Sequence, residues 1–210
     1  AYDNALKAIE SLMANKIQAR IRSTITKTNF FDMQNLVKLA MKLGVISISF
    51  GAAIPVGNAL SRADDLFTTR KEMKHFIDEF YRLKYMYTNE IEIITNECLH
   101  GLRFLDFNQQ EANEDEIVLN GCTAGVTTFN VLSNGDLTPC SMLKKKIANV
   151  FRDQDLRQSY MDSEIIANLL DRNYLGKCGH CLFKYECGGC RVRAEYFTGD
   201  YLGSDSLCWI

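Results

Sequence analysis

The sequence predicts an α/β unit followed by a smaller, cysteine-rich α+β unit, and three observations carry that expectation. Apolar spacing alternates between the helical and the strand period through the first hundred residues. An acidic polar run at 111–116 interrupts that rhythm and marks a boundary between domains 1–112 and 113–210. Seven of the eight cysteines then follow, four of them within residues 178–190 as two CxxC pairs.

Taken in order, Ala5, Leu6, Ile9, Leu12 and Met13 stand at helical spacing behind Asp3 or Asn4 as N-cap. After Asn15 the period becomes two: Ile17, Ala19, Ile21, Ser23 and Ile25 share one side of a strand, and Gln18, Arg20, Arg22, Thr24 and Thr26 the other. A second helix opens at Asn29 or Asp32, turns Met33, Leu36, Val37, Ala40 and Met41 inward, and stops at Gly44. Residues 45–50 read as a short strand, residues 60–67 as a loop. Thr69-Arg70-Lys71-Glu72 is a capping box for a long helix with Met73, Phe76, Ile77, Phe80 and Leu83 on its core face. Residues 91–94 are a further strand. Beyond the boundary, strands at 126–132 and 137–140 flank Ser133-Asn134-Gly135-Asp136, and Asn-Gly favours a type I′ hairpin turn. Such a hairpin returns Cys140 towards Cys122. Residues 155–170 read as one polar helix leading into the cysteines.

The chain has 210 residues, 47% apolar and 24% charged, with a net charge of −2, an ordinary globular balance. Nothing in it attracts nucleic acid or anionic lipid, no apolar run approaches the ~20 residues of a membrane span, and no secretory signal opens it. Disulfides suit small secreted domains that cannot build a core; this chain can build one. Its paired CxxC spacing instead points to metal ligation in a reducing cytoplasm, since a tight turn aims both sulfurs the same way.

From Cys122, twelve residues lead to Gly135 and four more to Cys140; then come Cys178, Cys181, Cys187 and Cys190, and finally Cys208. With Asn134-Gly135-Asp136, Pro139-Cys140, Ala148-Asn149-Val150, Cys187-Gly188-Gly189-Cys190-Arg191 and Gly199-Asp200, this order resembles the SPASM domain of radical S-adenosylmethionine (radical SAM) enzymes over residues 120–210. Residues 1–60 resemble the second half of a radical SAM partial (β/α)6 barrel, ending in Pro55-Val56-Gly57-Asn58-Ala59. The resemblance implies one or two auxiliary 4Fe-4S clusters. Cys178, Cys181, Cys187 and Cys208 would hold one, and Cys122, Cys140 and Cys190 the other. It further implies S-adenosylmethionine as cofactor, with Arg22, Thr24, Ile54 and Pro55 as its candidate contacts, and an electron donor such as ferredoxin or flavodoxin. The implied activity is radical modification of a peptide, with a heme-like cofactor precursor or other small molecule as the alternative substrate.

The sequence departs from the family in two ways. Two residues separate Cys187 from Cys190 where three are common, and no CxxxCxxC occurs, so the chain by itself lacks the SAM-cleaving motif and reads as part of a longer enzyme. Cys98 is unassigned, either as a fourth ligand to the Cys122 set or as a small buried apolar residue. A zinc-binding module without catalysis is the rival class, because CxxC pairs also build zinc ribbons. Ser141 stands where sulfatase-maturing relatives carry an aspartate base, which argues against that activity. Arg20 and Arg22 face away from the aliphatic row, His75 and His180 read as surface residues, and Lys144 to Lys146 as a solvated loop.

Overall fold

β-rich segments alternating with amphipathic helices build a parallel sheet, because each crossover helix covers apolar side chains that the strands cannot bury alone. A computed structural model of the chain describes residues 2–66, 68–103 and 121–210. They form two compact units, one of residues 1–97 with 209–210 and one of residues 98–208. The expected boundary at 112/113 and its acidic run lie outside the described residues.

In the first unit β1 (Arg20–Ile25), β2 (Ser47–Ala52) and β3 (Glu92–Thr95) pair in parallel in the order β1-β2-β3. The register sets Ile21, Ile48 and Ile93 in one row and Arg22, Ser49 and Ile94 in the next, on the opposite face. Ile25, Ile48 and Phe50 are fully buried. They share the core with Met33, Val37 and Ala40 of α2 (Met33–Leu43). Gly44 ends that helix in the left-handed conformation, as its position after the last apolar residue predicts.

α1 (Tyr2–Ala14) forms as read, but none of its residues is buried: Leu6, Ile9 and Met13 are only half covered. Of the 60–67 loop expectation, residues 60–66 depart from it and residue 67 lies outside the described residues. A 3₁₀ turn, Gly57–Arg62, runs into a short α3 (Ala63–Leu66). Their Asn, Ser and Asp content looks loop-like, yet no Pro or Gly follows Gly57 to stop helical turns, and Ser61 Oγ donates to the Asn58 carbonyl. α4 (Arg70–Met86) opens on the full capping box: Glu72 N–H donates to Thr69 Oγ1, and Thr69 N–H to Glu72 Oε2. Its expected core face, Met73, Phe76, Ile77, Phe80 and Leu83, is buried throughout.

The second unit carries a small antiparallel sheet, β4 (Asn130–Val131), β5 (Asp136–Thr138) and β6 (Ala148–Asn149), in that order. The turn between β4 and β5 is not type I′. Only Gly135 has positive φ (84°), and Gly135 N–H donates to the Leu132 carbonyl. That pattern is a turn closed by a glycine bulge, in which Asn134 keeps a negative φ and its side-chain Oδ1 accepts from Asp136 N–H. β6 escapes sequence reading because two residues show no periodicity. Buried Asn149 anchors it, donating Nδ2 to Asp136 Oδ1 and to the Asn134 carbonyl, and accepting Phe151 N–H. The single helix expected over 155–170 is two, α5 (Leu156–Met161) and α6 (Glu164–Leu170). Ser163 caps the second, accepting Ile166 N–H, and a serine favours that cap over a helix interior. α7 (Gly176–His180) and α8 (Arg191–Thr198) follow, and the last cysteines lie in and around them.

Candidate metal centre

Backbone pairing brings the distant cysteines of the second unit together. Cys122 N–H donates to the Cys187 carbonyl at 2.8 Å, and Gly125 N–H donates to the Pro139 carbonyl at 3.0 Å, next to Cys140. Leu175 N–H donates to the Leu202 carbonyl, and Cys178 N–H to Ser204 Oγ at 3.3 Å, which ties α7 to the segment leading to Cys208. Cys181 closes one turn after Cys178, donating its N–H to that residue's carbonyl. Cys190 starts α8, and its N–H donates to Asp205 Oδ2 at 2.7 Å.

Cys187 and Cys190 can stand this close because two glycines join them, both in the left-handed region (φ 66° and 57°). A Cβ on Gly188 would meet Arg172 Nη1 at 2.8 Å. One on Gly189 would meet Asp205 Cβ at 2.8 Å and Arg191 Nη2 at 2.9 Å. The glycines therefore leave room for buried guanidinium groups. Arg172 donates to the Cys122 carbonyl and the Tyr174 hydroxyl. Arg193, 1% exposed, forms a doubled ion pair with fully enclosed Asp205, Nε to Oδ1 at 2.9 Å and Nη2 to Oδ2 at 2.7 Å.

The electrostatics sort the thiols into two sets. Burial pushes the Cys187 thiol up to about 12, and the like charges of Cys208, Asp205 and Cys178 add to the rise, against a Gly189 N–H that donates to its sulfur. Burial raises the Cys122 thiol as well, together with the like charge of Cys190, against N–H groups of Ala124 and Arg191. Cys187 thus senses Cys178 and Cys208, and Cys122 senses Cys190. None of the eight cysteines is in a disulfide.

The donor set fits a soft, multiply charged centre. Buried thiols that repel one another as anions need a cation to ionise, and N–H groups aimed at sulfur stabilise a thiolate far more than a thiol. Met142 N–H donates to Cys140 Sγ at 3.5 Å and Arg191 Nη2 to Cys178 Sγ at 3.7 Å. Among the described residues no three His, Cys, Asp or Glu side chains gather as a single-ion site. His180 is exposed at the end of α7, and His75 is exposed too, its ring centre 5.7 Å from that of Phe30 in an edge-on arrangement. Cys98 lies beside Arg193, which donates Nη2 to its sulfur at 3.7 Å.

The remaining sequence-derived site residues belong to the first unit. Arg22 and Thr24 project from one face of β1, the face that carries Ser47, Ser49 and Gly51 on β2. Ile54 and Pro55 follow the C-terminal end of β2, with Pro55 buried. Arg20 is exposed and reaches over small Ser47 to Glu92 at 3.9 Å. In the second unit the lysine run is partly engaged: Lys145 pairs with Glu195 at 2.8 Å and Lys146 with Asp136 at 3.0 Å. Sequence reading passed over Arg172, Tyr174, Arg193 and Asp205. No local signal marks them, since a buried charge and a solvated one read alike in the sequence.

No family model matches the chain. It is 27% identical over 220 residues to an AdoMet-dependent heme synthase of Methanosarcina barkeri, covering 99% of this chain and 60% of the relative. It is 24% identical to the mycofactocin maturase MftC of Mycolicibacterium smegmatis, covering 99% of this chain and 51% of that one. Among solved structures it resembles Streptococcus suis SuiB bound to S-adenosylmethionine, with a TM-score of 0.69, 20% identity, and coverage of 99% of this chain and 49% of the other. The chain thus spans less than two thirds of the length of the relatives it matches.

Proposed function

We propose that this chain, homologous over its whole length to the C-terminal part of radical SAM/SPASM enzymes, carries the auxiliary iron–sulfur clusters of an oxidoreductase. The observation that supports this reading most is the grouping of the thiols: the charges of Cys178 and Cys208 both raise the Cys187 thiol, which marks one set, and that of Cys190 raises Cys122, which marks another. Cys181 joins the first set through α7, and Cys140 the second through the Gly125–Pro139 pairing. Each set would hold one 4Fe-4S cluster, which supplies or accepts a single electron when bound.

Around these sulfurs the chain's own residues do three things. The Gly188-Gly189 link and Asp205 fix the positions of Cys187 and Cys190. N–H donors from Gly189, Ala124 and Arg191 favour the thiolate forms of Cys187 and Cys122. Buried guanidinium groups balance negative charge inside the unit. In the first unit, Arg22 and Thr24 on the polar sheet face, with Ile54 and Pro55 beyond β2, would contact S-adenosylmethionine, and the three-stranded sheet would form part of a barrel in the whole protein.

The substrate is read from the relatives' names. Sequence reasoning put a peptide first, and SuiB bound to precursor peptide SuiA is consistent with that class. The 27% identity to the Methanosarcina barkeri heme synthase, against 24% to MftC, favours a tetrapyrrole-like precursor. Incubating the full-length reduced protein with S-adenosylmethionine and either class decides: 5′-deoxyadenosine release that rises only with a tetrapyrrole precursor supports this order, and a rise only with peptide reverses it. The cluster assignment is tested by metal analysis. Cys178→Ala and Cys208→Ala should each remove about four irons per chain; unchanged iron in both overturns it.

A further inference from the structure

Arg191 is 1% exposed, yet among the described residues no carboxylate lies within ion-pairing distance of it. Its guanidinium is held by carbonyls, with Nη1 donating to Tyr201 at 3.0 Å and Gly203 at 2.9 Å, and Nε to Gly189 at 3.4 Å. The Tyr174 ring packs against its face, 4.0 Å from ring centre to guanidinium carbon. Its remaining arm, Nη2, reaches Cys178 Sγ at 3.7 Å. The same group is close enough to Cys122 to favour that thiolate. A permanently charged group buried without a counter-anion carries a large desolvation penalty, and here the negative charge that faces it is sulfur.

Neighbouring charges do not explain the placement otherwise. Arg193 is neutralised by Asp205, and Arg172 is turned to the Cys122 carbonyl and Tyr174 hydroxyl. Asp205, which reaches the neighbouring Cys190, is committed to Arg193 and to the N–H groups of Cys190 and Leu207. The carbonyls and the ring hold the guanidinium in one orientation, with Nη2 aimed at the thiol.

We infer that Arg191 is a positioning residue that tunes the reduction potential of the cluster held by Cys178, Cys181, Cys187 and Cys208, through its N–H···S contact and its buried positive charge. The inference rests on the cluster reading above. A cluster gains negative charge on reduction, so a fixed cation beside one of its thiolates stabilises the reduced form and raises the potential.

Potentiometric titration followed by electron paramagnetic resonance tests this on the reconstituted full-length protein. Arg191→Met should keep its iron and lower the potential of one cluster by about 59 mV or more, a tenfold change in a one-electron equilibrium. Arg191→Lys should fall between Met and wild type. A full-iron Met variant with an unchanged potential overturns the proposal. A second measurement needs no variant to fold: wild-type protein grown with guanidino-¹⁵N arginine should show a labelled nitrogen coupled to the reduced cluster, and its absence overturns the proposal whatever the Met variant does. A wild-type protein that binds no iron refutes the cluster reading itself, a result distinct from an iron-replete protein whose potential ignores Arg191.

Discussion

Replacing Asp205 with asparagine tests whether the cysteine-rich unit is held by its buried charge pair. Asp205 is fully enclosed and Arg193 is 1% exposed, and the carboxylate accepts from both arginine nitrogens as well as from Cys190 N–H and Leu207 N–H. Asparagine keeps the shape but removes the charge and turns an NH₂ towards groups that all donate. Breaking one side of a buried pair costs about 3–5 kcal/mol, because the remaining charge stays in the interior. We take ~4 kcal/mol, a factor of about 10³ in the folding equilibrium at 1.4 kcal/mol per decade. Urea unfolding of the full-length protein, followed through the near-UV signal, should show that loss. Adding Arg193→Met should restore part of it, since an apolar pair leaves no stranded cation. A loss below ~1 kcal/mol for Asp205→Asn, or a double variant worse than the single one, would refute the argument.

Burial works to raise the Asp205 pKa, but Arg193 and the two backbone N–H groups outweigh it and hold the carboxyl below the ordinary range. Its contribution to stability is therefore present above the unfolded-state value, near 3.9, and disappears only as pH falls through the lower folded one. Wild-type stability attributable to this pair should be flat from neutral pH down to about 4, checked by comparing Asp205→Asn and wild type across that interval. At Asp136 the hydrogen bonds of Asn149, Lys146 and Asn134 also lower the carboxyl. Asn149→Ala should move its titration by NMR back towards the ordinary value, and removing the buried amide should cost about 1–3 kcal/mol. Thr69→Ala should cost about 1 kcal/mol in thermal unfolding, the usual worth of an N-cap. Gly189→Ala should cost about 2 kcal/mol or more and deplete bound iron, because both its backbone angle and the space beside Asp205 exclude a side chain; a full-iron alanine variant of wild-type stability would contradict it.

Legibility in the sequence followed the length scale of each signal. The capping box, the Gly44 stop and the core face of α4 were readable because several residues repeat one message at helical spacing. The cysteines announced metal chemistry for a related reason, a local spacing that a turn converts directly into geometry. β6 and the glycine bulge at Gly135 were not readable, since two-residue strands carry no period and Asn-Gly suits more than one turn. Arg193 and Asp205 were invisible as a pair: twelve positions separate them, and nothing local distinguishes a buried charge from a solvated one. The open polar face of the sheet was legible in β1, where Arg22 and Thr24 alternate with Ile21 and Ser23, while the small residues opposite, Ser49 and Gly51, gained their meaning only from the register.

On the proposed cluster assignment, the Cys187–Cys190 link would bear on how the protein acquires iron. The two sulfurs would serve different thiol sets, yet the chain between them is two residues long, and Cys122 is fastened to the same spot through the Cys187 carbonyl. Seating inorganic sulfide and iron in either set fixes a wall of its neighbour. Titrating the empty polypeptide with ferrous ion and sulfide should therefore fill both positions together, with half-loaded molecules scarce at every point short of saturation.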